Sequence, residues 1–187
     1  MKMFLLSTLL LVGAAAFAQE KKAPAPPPLM MMIPDLKDGG ELPIKYSCSN
    51  KPSGVSPKID WMNAPRGTQS FAILLHDPEP HLQKGLIDIT HWLIYNIPAT
   101  AMGLPEGVPN GDMPDGTKQL KNIRGFAGYF GPCAPPVLVH HYTFELYALD
   151  TKLDLGPDAT RADAMKAIDG HILGAAVFVS PFKQAAQ

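Results

Sequence analysis

Three short stretches of this chain carry side chains able to hold a small anion or to move a proton. They are Asp77 with Glu79, then His91, and then His140 with Tyr142. Each lies at an end of a run that reads as a β-strand. Side chains two apart on a strand share a face, so His140 and Tyr142 are expected to point the same way. Just before them runs Gly128-Tyr129-Phe130-Gly131-Pro132-Cys133-Ala134-Pro135-Pro136. Proline fixes φ and removes a donor, so this segment is expected to form a stiff shelf beside the two rings. Imidazole and phenol groups can donate hydrogen bonds to a phosphate-like oxyanion, while Asp77 can orient a histidine or meet a ligand ammonium. These groups form one pocket only if the strands are neighbours with their ends aligned. Read alone, His140 is equally a histidine satisfied at a strand end.

Other chemistries fit the residues less well. Five of the six histidines (76, 81, 91, 140 and 141) fall in or near these stretches, yet no HxH or HxxxH spacing suggests zinc. There is no GxSxG elbow and no serine placed beside a histidine as a nucleophile. The GxGxxG and GxxxxGK[ST] spacings that cradle nucleotides are absent. Binding is therefore favoured over catalysis, and no cofactor or metal is expected.

The elements that must position these groups are legible in outline. The chain has 187 residues, a net charge of −1 and 18% charged residues, without the basic stripe of a nucleic-acid binder. Lys2, the apolar run Phe4 to Val12 and Ala16-Phe17-Ala18 read as an export signal cut after Ala18. The run is too short for a membrane span, so a periplasmic or secreted product is expected. The expected organisation is a signal over 1–18, a Pro/Met-rich lead-in over 19–34 and a single domain over 35–187. Strands are expected at Leu42–Cys48, Lys58–Trp61, Ser70–His76, His91–Ile97, His140–Leu149 and Ala175–Ser180. A single helix is expected over Arg161–His171, capped by Thr160 with Asp163. Ala99 to Gly128 reads as a long loop, functional or carrying short elements of its own. This pattern predicts a mainly β protein with a sandwich or barrel-like core. In an oxidising compartment the pair Cys48 and Cys133 suggests a disulfide, the alternative being two buried thiols.

Several of these stretches resemble the phosphatidylethanolamine-binding protein family, also called Raf-kinase-inhibitor-like, and its exported bacterial branch in particular. Asp77-Pro78-Glu79-Pro80 is similar to a shortened DPDAP motif. His91-Trp92-Leu93-Ile94-Tyr95-Asn96-Ile97-Pro98 resembles HWVVYNIP, and the Gly128–Pro136 run with His140-His141-Tyr142 resembles GYxGPCPP…HRY. The resemblance extends from about Leu36 to Lys183. It implies an antiparallel β-sandwich with a few short helices and a small anion pocket lined by Asp77, His91, Pro135, His140 and Tyr142. Glu79 and Gly131 are carried over beside them as ligand-binding residues. It further implies a non-enzymatic binder of phosphate-bearing head groups or similar anions. The alternative is an interaction module inhibiting a partner such as a kinase or protease, and a hydrolase is the weakest reading. The chain departs from the pattern where Ile89 stands for a frequent tryptophan, His141 for an arginine, and Val137-Leu138-Val139 for a Gly-containing turn.

Overall fold

The computed structural model describes residues 25–79 and 88–185. The signal read over 1–18, and Pro80 and His81 of the loop that follows Glu79, lie outside the described residues.

Two antiparallel sheets form the body. The smaller comprises β1 (Met30–Met32), β2 (Ile59–Met62) and β5 (Gly103–Leu104), in the order β1-β2-β5. The larger has the order β6-β4-β3-β7-β8, from β3 (Ser70–Asp77), β4 (Ile89–Pro98), β6 (Lys118–Gln119), β7 (His140–Leu149) and β8 (Ile172–Phe182). β3 is central and buried along its whole length. Its alternate residues serve two layers, as the period of two requires. Phe71, Ile73 and Leu75 pack towards the small sheet against Trp61, Trp92 and Phe144. Ala72 and Leu74 pack on the other side, in a second core with Ala164 and Ile168 of the helix α1 (Arg161–Ile168). Each large apolar side chain buried in this way stabilises the fold by about 1.5–3 kcal/mol. Among the described residues, no helix is long and apolar enough to cross a membrane.

The mainly β sandwich is as expected, and several boundaries differ for local reasons. Leu42–Cys48 is not a strand. Pro43 opens a 3-10 turn, Ile44–Tyr46, where Tyr46 and Ser47 donate backwards to the Pro43 and Ile44 carbonyls. The lead-in supplies β1, with Met31 buried between two more exposed methionines. The long segment after Pro98 carries β5 and β6. α1 has the Thr160–Asp163 capping box but ends at Ile168, because Gly170 adopts φ +83° and turns the chain away.

Behind the sheet, the side chain next to Asp77 joins β3 to the helix layer. His76 Nδ1 contacts Asp88 Oδ1 at 2.8 Å, and Asp88 also pairs with Arg161 at the start of α1. On β7, Glu145 lies 3.8 Å from His76 Nε2 and accepts from the Tyr147 hydroxyl at 2.6 Å.

Candidate functional site

β3 and β7 bring the first pair together. His76 stands across from Thr143, which sets Asp77 across from Tyr142 at the end of the ladder. Asp77 shares the face of Leu75, and on β7 His140 and Tyr142 share the face of Phe144. His140 Nδ1 donates to Asp77 Oδ2 at 2.7 Å, with both side chains almost wholly removed from water. The other carboxylate oxygen, Oδ1, accepts the Glu79 backbone N–H at 3.0 Å.

His91 reaches the same place through an irregularity. Leu75 pairs with Trp92 and His76 with Thr90, which leaves His91 as an extra residue in β4. Strict alternation from Trp92 and Ile94 would turn His91 to the helix side. The bulge instead aims it onto the face of Trp92, towards Asp77. The ring is 3% exposed. It stacks on Phe130 at 5.5 Å and meets the Tyr142 ring edge-on at 5.1 Å. His91 Nδ1 donates to the Phe130 carbonyl at 2.9 Å. Burial pushes the imidazolium of His91 down from its ordinary range, against the opposing pull of the Phe130 carbonyl and the Asp77 charge. Tyr142 moves upward, chiefly through burial and then through the Asp77 charge, so its phenol keeps its proton. Its oxygen accepts the Cys133 backbone N–H at 2.9 Å.

The Pro-rich shelf is fastened from behind. A disulfide joins Cys48 to Cys133. The Cys48 N–H donates to the Pro132 carbonyl at 3.0 Å, and the Gly131 N–H to the Ser53 carbonyl at 2.8 Å. Gly131 is pressed onto the 3-10 turn: a Cβ there would lie 2.4 Å from the Tyr46 carbonyl oxygen. Only glycine allows this approach.

These parts enclose a cavity of about 290 Å³. That is at the small end for ligand sites, a size for a head group rather than a large cofactor. Asp77, His91, His140 and Tyr142 line it, with Pro135, Pro52, Phe130 and the disulfide as stiff walls. Of the seven ligand-binding residues expected from the sequence, Asp77, His91, Pro135, His140 and Tyr142 are among the lining residues. Glu79 and Gly131 are not. Glu79 instead accepts from the His141 backbone N–H and lies 3.1 Å from His141 Nδ1. Gly131 sits behind the shelf.

Sequence reasoning missed Lys51 and Arg124, both exposed, which line the same cavity. Neither makes an ion pair among the described residues. The guanidinium of Arg124 lies 5.3 Å from the Phe130 ring centre. A disulfide at Cys48 implies that the following loop, including Lys51, is drawn against the shelf. For Arg124 nothing local signals the placement. The lining residues include no serine, no threonine and no free thiol. Among the described residues, no group of three or more histidine, cysteine or acidic side chains is arranged to hold a metal ion. What the arrangement offers is a small chamber with exposed cations at its mouth and buried imidazole, phenol and carboxylate groups at its floor.

A family model described as phosphatidylethanolamine-binding protein matches residues 33–183. A UPF0098 protein of Methanothermobacter thermautotrophicus is 41% identical over 79% of this chain and 93% of its own length. The UPF0098 protein YbhB of Escherichia coli is 32% identical over 79% of this chain and 96% of its own length. Among solved structures, E. coli YbcL, described as a member of the mammalian PEBP family, superposes with a TM-score of 0.74 at 26% identity. It covers 83% of this chain and 98% of YbcL. The Chlamydia trachomatis PEBP homolog CT736 gives a TM-score of 0.73 at 29% identity, covering 84% of this chain and 98% of CT736.

Proposed function

The chain belongs to the phosphatidylethanolamine-binding protein family, and from that premise we propose that it is a non-enzymatic binding protein which captures a small phosphate-bearing ligand. Asp77, His91, Pro135, His140 and Tyr142 form the binding surface, and Lys51 and Arg124 attract the anion at the mouth. The observation that carries this reading is the convergence of His91, His140 and Tyr142 on one small cavity, with Asp77 holding His140 by its Nδ1–H. Catalysis would need an activated nucleophile or water, and the lining includes no serine, no threonine and no free thiol to serve as one.

The protein works outside the reducing cytoplasm. The signal-like N-terminus and the Cys48–Cys133 bond in the cavity wall support this reading, since disulfides persist in oxidising compartments.

Titration with inorganic phosphate or phosphoethanolamine, followed by the ring signals of His91 and His140, tests the proposal. Both signals are expected to move saturably, and His140→Ala to abolish the response. Unchanged signals at millimolar ligand reject it.

One observation favours a second reading, in which the cavity rim docks on a partner protein. Val137, Leu138 and Val139 form an exposed apolar turn between Pro135 and His140, with Val137 at 85% exposure. Monomeric surfaces rarely cluster such residues without use. Capture of a partner that is lost on Val137→Asp, with phosphate binding intact, would support it.

A further inference from the structure

We infer that this cavity selects oxyanions that carry a proton of their own, such as hydrogen phosphate or a singly protonated phosphomonoester, over proton-free oxyanions such as sulfate, which matches hydrogen phosphate in charge. The inference rests on the anion-pocket reading and narrows it to one class of ligand.

The argument starts from hydrogen-bond valence. The Phe130 carbonyl has lone pairs and no proton, so a 2.9 Å contact with His91 Nδ1 requires the proton to sit on Nδ1. A neutral ring in that tautomer presents a bare lone pair at Nε2. His91 therefore meets a ligand as an acceptor. Protonating Nε2 would place a cation on a ring 3% exposed and stacked on Phe130, and burial already depresses that ionisation.

Its neighbours do not reverse this. Asp77, from β3, is a second acceptor at the floor, with one oxygen on His140 and the other on the Glu79 N–H. On β7, His140 has committed its Nδ1–H to Asp77, and Tyr142 supplies one phenol donor, its oxygen being engaged by the Cys133 N–H. The fixed cations, Lys51 and Arg124, are exposed residues at the mouth. An incoming anion thus finds donors and positive charge towards solvent but a lone pair and a carboxylate within. Hydrogen phosphate turns its P–OH to His91 Nε2 and its other oxygens to Tyr142 and the cations. Sulfate has no proton to turn, so acceptor faces acceptor at the cavity floor. Discrimination of this kind is strong because the mismatch leaves a buried polar group unpaired.

The test is calorimetric and NMR titration of the full exported chain at pH 7.5 with three probes: inorganic phosphate, sulfate and dimethyl phosphate, a diester without an acidic proton. Phosphate is expected to bind at least about tenfold more tightly than either, the ratio that one unsatisfied buried acceptor implies. Nitrogen-15 shifts of His91 should report the Nδ1–H tautomer in the free protein and a hydrogen-bonded, still unprotonated Nε2 with phosphate. As pH is lowered until the His91 nitrogen-15 shifts report its protonation, sulfate should close the gap. His91→Gln, which offers an amide N–H as well as an oxygen, should reduce the phosphate-to-sulfate ratio towards one, with folding checked by circular dichroism. Equal affinity for phosphate and sulfate at pH 7.5, both moving the His91 signal, overturns the inference and leaves the pocket reading standing. No response of His91 or His140 to any probe overturns both.

Discussion

Asp77 and His140, 63 positions apart in sequence, meet at 2.7 Å across the ends of β3 and β7, and both are nearly out of water. Asp77→Ala leaves the His140 Nδ1–H buried without an acceptor, which is expected to cost about 1–3 kcal/mol of stability and most of the anion affinity. Asp77→Asn retains an acceptor oxygen and should cost less on both counts. Urea unfolding and phosphate titration of the two variants check the order, and equal losses would mean that holding the ring is not what Asp77 does.

Gly131→Ala drives a methyl group into the Tyr46 carbonyl, 2.4 Å away, and into the Ser47 backbone. Neither neighbour is a flexible side-chain end, so the shelf itself must move. Overpacking of this kind costs about 1–3 kcal/mol. Phosphate affinity should fall with it although Gly131 touches no ligand, and a variant as stable and as tight-binding as the parent would contradict the fit described here.

The Cys48–Cys133 bond spans 85 residues and forms part of the cavity wall. Reduction, or replacement of both cysteines by serine, should lower stability by about 2–4 kcal/mol. Anion affinity should fall as the shelf loosens. Paired unfolding and binding curves in the presence and absence of reductant read both effects.

Two histidines should give the stability curve a maximum near pH ~6.5, the ordinary histidine value. For His76, burial works against the charged ring, but the nearby Glu145 carboxylate and the hydrogen-bonded Asp88 outweigh it and raise its pKa. Its contribution is complete below the unfolded value and is lost as pH rises through the folded one. His91 is shifted downward by burial, so the unfolded chain takes up its proton first and stability falls on the acid side. His76→Gln should flatten the alkaline limb and His91→Gln the acid limb. Unfolding free energies measured from pH 5 to 8.5 decide this, and a limb unchanged by its variant refutes that assignment.

Much of the scaffold was legible because local patterns survive in it. β7 has the bounds read from its residues, and its alternation puts His140 and Tyr142 on one face. The Thr160 cap formed with Asp163 as read. β1 was hidden for a physical reason: three consecutive methionines cannot display alternation, even though only the middle one is buried. His91 was noticed by type, but its facing was not readable. That facing depends on an extra residue in β4, which is a property of the pairing with β3 and not of either strand alone. Lys51 and Arg124 were invisible because tertiary contacts, not spacing, bring their loops to the mouth.

His76 and Asp77 are joined by a single planar peptide bond, yet one reaches back to Asp88 and the helix layer while the other reaches forward to His140. One strand end therefore carries, on opposite faces of the sheet, both the tie to the helix layer and the tie to the cavity floor.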